Sequence, residues 1–445
     1  MWVAKVKLYG EKGRIGSKTK KFNVSVMLKL GFVDALEQDG YFPLTYNGEE
    51  FTREDLERAI GNSRKSEAWL GSDSQHSLRL EGDKVFETYG NKEIGKVEGG
   101  VVKIHAETFF DIIVDNAHAT ADPGLLFSFN MNNNVQLVGE EYRATNPCGE
   151  IPLWEYEPCD LGSIIAKMMS RIGAGSRREL DKERIYRTTY KAQRFLDNVH
   201  DANQGPIPEV EEAARGNRRT GLGLMGWANL LADLWIPYDS EEALELADRF
   251  GSIMHNASYQ ASLDIATEKG PFPNFARSTF DPSKPLRNVA RLAIAPTGTI
   301  SMVYNVNSAI EPFFALIYHK QMRGGDYIVY LVDEFEQAAK EWGFYRDDLM
   351  ADVRANHGSI QGMNDIPVEV QRVFVTSHDI SPEWHVKTQA VFQRYMDNAV
   401  SKTINLRNSA TPEDVRQAYL LSMRSGLKGV TVYRDGSRDE QILVV

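Results

Sequence analysis

Cysteine is the residue this sequence has least of, two in 445. That scarcity excludes a disulfide scaffold, which small secreted domains build from many cysteines, and a chain of this length can bury a large apolar core without one. The expectation is a cytoplasmic protein. Cys148 and Cys159 lack a CxxC partner, and the nine histidines form no HxxxH or HExxH pair, so no metal ligands are assigned. Apolar runs of roughly eighteen residues, the length that spans a bilayer, are also missing. The N-terminal "MWVAKVKLYGEKGRIGSKTKK" has no apolar core of signal-peptide length, so no membrane attachment is expected. A basic surplus is absent too: 51 Lys and Arg face 62 Asp and Glu, for a net charge of −11, which argues against a nucleic-acid partner. A small anionic ligand stays open, because backbone amides and hydroxyls suffice to hold a phosphate.

No repeat, low-complexity tract or Pro/Gly/Ser-rich linker marks a boundary. The simplest organisation is a basic arm over residues 1–21, carrying Lys5, Lys7, Lys12, Arg14, Lys18, Lys20 and Lys21, followed by one continuous body over 22–445. Within that body, Asp239 with Glu242 three residues on reads as a capping box opening a long helix that stops near Gly270. Thr411, Pro412 and Asp414 open another, which Gly426 ends. "RLAIAP" (291–296) and "KGVTVY" (428–433) read as buried strands. Helix, glycine, buried strand is the pattern of an α/β fold, in which active residues sit on loops at strand ends.

Both cysteines lie in "RATNPCGEIPLWEYEPCDLGS", residues 143–163. A lone cytosolic cysteine is ordinarily a small buried apolar residue. Here Pro147 and Gly149 shape an irregular turn around Cys148, and Asn146, Cys148 and Glu150 would share one face of an extended segment. An amide, a thiol and a carboxylate together can hydrogen-bond, donate hydrogen and remove a proton. In "APTGTIS" (295–301), Pro296 fixes a turn, Thr297, Thr299 and Ser301 offer hydroxyls, and Gly298 allows close backbone approach. That suits a phosphate cradle as well as an ordinary strand-to-helix connection with hydroxyl caps. "GLGLMG" (221–226) imitates a dinucleotide fingerprint, but no acidic residue follows at the usual distance after a second strand; the helix-cap context "WIPYDSEEAL" comes instead, and close helix packing is the better account. His378 and His385 are seven apart with Pro382 between them, which reads as a loop or helix start.

"NPCGEIPL" followed by "CDLGSI" resembles the finger-loop region of ribonucleotide reductases. "GLGLMGWANLL" (221–231), "APTGTIS" (295–301), "SAIEPFFAL" (308–316), "HDISPEWHV" (378–386) and "GLKGVTVYRDGSR" (426–438) extend the resemblance in order, from about residue 22 to the end. The fold it implies is part of the ten-stranded α/β barrel of that family, with a central finger loop carrying a radical cysteine. Carried over by residue, Cys148 would abstract hydrogen from the ribose 3′ carbon, Glu150 would act as base on the 3′ hydroxyl, and Asn146 would bond the sugar oxygens. Cys159 would be one of two thiols that reduce the 2′ carbon and end as a disulfide, re-reduced by an external dithiol such as thioredoxin. Pro147, Gly149, Pro296, Thr297, Gly298, Thr299, Ile300 and Ser301 would contact the ribonucleotide substrate.

The cysteine spacing, "ISPEWHV" and "TVYRDGSR" resemble the adenosylcobalamin-dependent class, whose cofactor generates the radical. The adjacent tyrosine pair of class I enzymes is replaced by a single Tyr433 followed by Arg434, and the glycyl-radical signature of the anaerobic class is missing. The family's other reducing cysteine lies upstream of the matched region, and this sequence has no third cysteine. The expectation is the C-terminal part of a split or truncated reductase, working with a separate N-terminal chain to supply deoxyribonucleotides for DNA synthesis. The alternatives are a non-catalytic nucleotide-binding scaffold fragment and a class I large-subunit fragment using a metal radical subunit.

Overall fold

The computed structural model describes residues 25–46, 49–63, 78–87, 92–173, 178–321, 327–437 and 443–444. The basic arm expected over residues 1–21 lies outside them. The chain falls into two compact units, Met1–Phe129 with Asn408–Tyr419 and Thr431–Arg438, and Asn130–Arg407 with Leu420–Val430 and Asp439–Val445. No linker composition marks this division because each unit is assembled from separate stretches of chain. Among the described residues no helix is long and apolar enough to cross a membrane.

In the first unit, β1 (Ser25–Leu28) pairs in parallel with the strand β2 (Gly124–Phe127), in register from Ser25–Gly124 to Leu28–Phe127. Ala106–Thr120, here α1, leads into β2 and buries Phe109, Phe110, Ile113 and Ala117 at helical spacing. Five antiparallel segments form a separate sheet in the order Tyr41–Pro43, Val101–His105, Glu93–Glu98, Lys84–Glu87, Leu78–Glu81.

The second unit is built on parallel staves. β3 (Asp160–Ile165) pairs with β4 (Thr220–Met225) from Asp160–Thr220 to Ile165–Met225. The expected strand "RLAIAP" lies beside β4, joined to it by the isolated parallel bridge Leu222 to Leu292 and on its other side to Val400 through Ile294, in place of a continuous ladder. Its backbone is nonetheless bonded on both sides, Ala293 N–H to Leu222 O at 3.2 Å and Ile294 N–H to Ala399 O at 3.1 Å. All six residues of β4 are buried, as expected of a stave covered on both faces. Gly223 is required there: a Cβ would lie 2.2 Å from the Ala293 carbonyl oxygen.

Helices α2 (Lys182–Ala202) and α3 (Trp227–Asp233) flank these staves, with α4 (Glu241–Lys269) packed on α2. Ile164, Leu222, Leu224, Trp227, Phe250, Leu292 and Ile294 share one core. α4 ends at Gly270 as the sequence suggests, but its cap is Ser240, whose Oγ accepts the Ala243 N–H at 3.2 Å. Asp239 instead pairs with Arg372 at 2.7 Å, one position too early to reach the first free amides. After α5 (Ile300–Val303) and α6 (Pro382–Gln393), the Thr411 box opens α7 (Pro412–Arg424). Thr411 Oγ1 and N–H both reach Asp414 Oδ2, at 2.9 and 2.7 Å. "KGVTVY" supplies β5, Gly429–Arg434.

Candidate functional site

The first thiol sits at the tip of a hairpin. Ala144–Thr145 pairs antiparallel with Pro152–Leu153, leaving residues 146–151 to turn. The turn is tied by Asn146: its N–H donates to Ile151 O at 3.2 Å, its carbonyl accepts the Gly149 N–H at 3.1 Å, and its Oδ1 accepts the Ile151 N–H at 3.0 Å. Gly149 has φ +82°, a conformation in which a residue with a side chain would be strained. The segment is therefore a tight turn and not an extended strand, so Asn146, Cys148 and Glu150 do not share one face by alternation. Cys148 is exposed, whereas Glu150 is only 2% accessible.

The Glu150 backbone carbonyl accepts the Ala399 N–H at 2.7 Å, which fastens the hairpin to a barrel stave. Its carboxylate Oε2 is buried without a hydrogen-bond partner. Burial raises the Glu150 carboxyl above the ordinary carboxylate range, and a hydrogen bond from the Asn146 side chain opposes that rise. Burial also raises the Cys148 thiol, with the Glu150 charge adding to it. The structure thus couples amide, thiol and carboxylate through one turn.

Cys159 stands at the start of β3, over a buried ion pair. Arg219, one residue before β4, accepts the Asp160 N–H on its carbonyl at 3.4 Å. Its guanidinium is 1% accessible, and Nε faces Glu157 Oε1 at 3.0 Å. Nη1 donates to Asn398 Oδ1 at 2.8 Å and Nη2 to the Tyr142 hydroxyl at 3.0 Å. Trp154 and Tyr142, stacked on each other at 4.7 Å, place their rings 4.8 and 5.3 Å from the guanidinium carbon. Glu157 also accepts the Asn217 Nδ2–H at 2.8 Å and the Trp154 N–H at 3.2 Å. Burial pushes the Cys159 thiol far up; Arg219 opposes this, and Glu157, Asp160 and Glu150 reinforce it. Glu150 therefore acts electrostatically on both cysteines.

A cavity of about 270 Å³ joins the strand after Cys159 to the hydroxyl-rich loop. It is lined by Leu161, Gly162 and Ser163 on one side and Ala295, Thr297, Gly298, Thr299 and Ile300 on the other. The loop differs from three hydroxyls facing outward. Thr297, at φ +53°, turns its Oγ1 inward to accept the Ala309 N–H at 2.8 Å, and buried Ser301 Oγ contacts Ser308 Oγ at 3.2 Å. Gly298, Thr299 and Ile300 are the exposed residues, and a Cβ at Gly298 would meet nothing within 4 Å. The open side of the cradle is backbone, with Thr299 its one outward hydroxyl.

The family description "Ribonucleotide reductase, barrel domain" matches residues 5–285 and 281–433, beginning inside the stretch read as a basic arm. The chain belongs to the ribonucleotide reductase barrel family. The chain is 43% identical to the vitamin B12-dependent ribonucleoside-diphosphate reductase of Mycobacterium tuberculosis (strain CDC 1551 / Oshkosh), over 79% of its own length and 50% of that protein's. It is 42% identical to the protein of the same name from Thermoplasma acidophilum, over 77% of its length and 44% of that protein's. It thus spans about half the length of these curated relatives. The Actinobacillus ureae class Id ribonucleotide reductase alpha subunit shares the fold, with a TM-score of 0.63 at 22% identity, over 74% of this chain and 61% of that one.

Sequence reasoning missed the bed beneath Cys159: Tyr142, Trp154, Glu157, Arg219 and Asn398. A signal was present in "NRRTGLGLMG", where two arginines run straight into a glycine-rich buried strand and must be paired or solvated. The glycines of that motif serve close packing of staves, and Pro382 opens α6 as a helix start. His385 is buried beside Lys402 Nζ at 2.9 Å and Ser377 O at 3.3 Å, and burial holds it neutral. Lys402 also pairs with Glu311, which fixes the 308–312 loop that anchors Thr297. Among the described residues no group of three or more His, Cys, Asp or Glu is placed to hold a metal ion.

Proposed function

We propose that this chain is the substrate-reducing part of an adenosylcobalamin-dependent ribonucleotide reductase. A ribonucleotide and a dithiol become a 2′-deoxyribonucleotide, water and a disulfide, supplying DNA precursors. The observation that carries the reading is the hairpin tip: an exposed thiol, Cys148, two residues from a buried carboxylate whose Oε2 has no partner within the chain. A buried carboxylate oxygen left without a donor is costly unless a ligand completes it, and a ribose hydroxyl has the donor that Oε2 lacks.

Cys148, as its radical, takes the hydrogen from C3′ and returns it at the end. Glu150 accepts the proton of the 3′ hydroxyl; its raised affinity for protons suits a base that must also give the proton back. Asn146 donates to the developing oxygen charge while its carbonyl side holds the turn. Cys159 protonates the departing 2′ hydroxyl, and it and a second thiol reduce C2′, leaving a disulfide for a thioredoxin-type dithiol to reopen. The second thiol comes from a separate N-terminal chain. The 297–301 loop presents backbone and Thr299 to the substrate phosphates.

The surroundings fit a cobalamin. Exposed Leu161 and Ile300 rim the cavity, followed by exposed Val303 and Tyr304, an apolar surface suited to a flat macrocycle that brings its cobalt already ligated. When bound, adenosylcobalamin supplies the one-electron oxidising chemistry that Cys148 requires.

The test is deoxynucleotide formation from ribonucleoside diphosphates with adenosylcobalamin and a small dithiol, for the chain alone and with an N-terminal half from a full-length relative. Product only in the mixture supports a split reductase. Product with a metal radical subunit and not with cobalamin would replace the radical source. No product in any mixture, with nucleotide binding retained, would make the chain a binding scaffold.

A further inference from the structure

We infer that Arg219 is the positioning residue of Cys159, its buried guanidinium fixing both the strand start that carries the thiol and the loop that leads into it. The inference deepens the proposed function, since it rests on Cys159 being a reducing thiol. Three observations converge on it. First, β3 and β4 are in parallel register from Asp160–Thr220 onward, and the Arg219 carbonyl accepts the Asp160 N–H at 3.4 Å, so Arg219 lies beside Cys159 at the start of the two staves. Second, the guanidinium reaches residues from three separate segments: Glu157 and Trp154 on the loop leading to the thiol, Tyr142 ahead of the hairpin, and Asn398 on the stave that also pins Glu150 through Ala399.

Third, the charges are opposed within one buried pair. Arg219 favours the Cys159 thiolate, while Glu157, at 3.0 Å from Arg219, disfavours it together with Asp160 and Glu150. The other charged or titratable groups facing this bed are Lys428, whose Nζ donates to the carbonyls of Asp397 and Asn398 at 2.8 and 2.6 Å and whose pKa burial lowers to about 8, the Asp397 carboxylate beside it, and His200 on α2, with Nε2 2.8 Å from the Arg219 carbonyl and Nδ1 3.4 Å from Asp160 Oδ2. A guanidinium packed beside the stacked Tyr142–Trp154 pair, ion-paired to Glu157 and donating from two nitrogens is held in place, so the field at Cys159 is set by the fold. A thiol that must deliver a proton to a leaving hydroxyl and then an electron in company with a second thiol needs such a fixed partner charge.

Alkylation by iodoacetamide tests this in the full chain carrying Cys148→Ser, where Cys159 is the one thiol left. The rate is followed against pH for the parent, Glu157→Gln and the double variant Glu157→Gln/Arg219→Met, each checked for a single urea transition. Glu157→Gln leaves Arg219 unopposed, and alkylation at a given pH rises about tenfold, the profile moving to lower pH. The double variant removes that cation at similar volume, and the rate falls back to the parent's or below. Both variants faster by the same factor would mean simple loosening of the bed, and neither changed would mean Arg219 does not act on the thiol; either result overturns the inference. Arg219→Lys, which keeps charge without the planar fork, retains the profile position but loses the parent's narrow reactivity at one orientation, read as biphasic alkylation. Because no turnover is measured, failure here leaves the proposed reaction standing, and failure of the reaction leaves this result standing.

Discussion

The two thiols lie eleven residues apart in sequence and are built in opposite ways. Cys148 rides a six-residue turn held by its own backbone and by one amide side chain, as an exposed residue. Cys159 stands at the head of a laddered stave, over a guanidinium bonded to three separate segments. The contrast teaches that local turn chemistry suffices to present a thiol outward, while setting a partly covered thiol against a fixed charge takes residues from across the unit. Turn chemistry is written in neighbouring residues; the bed is not.

The contrast is broken most directly by removing each sulfur. Cys148→Ala in the assembled enzyme is expected to cut turnover by more than about a thousandfold, because a nucleophile or radical carrier has no substitute in the chain. Its circular dichroism and urea midpoint stay unchanged, since Cys148 is an exposed residue on a turn. Cys159→Ala also stops deoxynucleotide formation but leaves exchange of the substrate 3′ hydrogen with solvent, which needs Cys148 alone. If both variants lose exchange equally, the two thiols do not have separate roles.

Removing one charge of the bed is the next largest effect. Arg219→Met strands a buried Glu157 carboxylate and is expected to cost about 3–5 kcal/mol in urea unfolding, whereas Glu157→Gln/Arg219→Met recovers most of that loss. A small single-variant cost would show the bed to be wetter than its 1% accessibility implies.

This asymmetry also explains what the sequence disclosed. The turn around Cys148 was legible because Pro147, Cys148 and Gly149 are contiguous, and the caps at Thr411 and Gly270 because capping is a matter of three or four residues. The long-helix start was misplaced by one residue, Asp239 for Ser240, because both are good caps and only the backbone turn decides between them. The inward Thr297 hydroxyl was not legible, since its partner Ala309 is twelve residues away on a separate loop. Nor was the Arg219 box, whose members Tyr142, Glu157 and Asn398 are brought together only by stave order.

A pH experiment sharpens the comparison at Glu150, which acts on both thiols. Its carboxyl is raised in the folded chain, so above the ordinary carboxylate range the folded state still holds a proton that the unfolded state has lost. Stability therefore falls as pH rises through that interval and levels off once the folded carboxyl ionises. Glu150→Gln removes the slope and is expected to be about 1 kcal/mol more stable than the parent at pH 7, while losing turnover. Urea midpoints at pH 4 and pH 7 measure it; equal slopes in both proteins would mean the carboxylate is satisfied as an anion.

The smallest effects come from adding the same methyl group in the two neighbourhoods. Gly149→Ala places a Cβ at φ +82°, where L residues are strained by about 1–2 kcal/mol. That strain falls on the turn which aims Cys148, so it should lower turnover as well as the urea midpoint. Gly162→Ala sits on β3, three residues past Cys159, and its Cβ would meet the Leu196 methyls at 3.4 Å, an ordinary packing distance. It is expected to shift stability by no more than about 0.5 kcal/mol. The laddered stave has no φ to strain and a core neighbour able to give way, whereas the tip has neither spare conformation nor packing to absorb the change. Equal costs at the two positions would mean that the turn is as well supported by the unit as the stave is, and the local origin of the Cys148 geometry would fail.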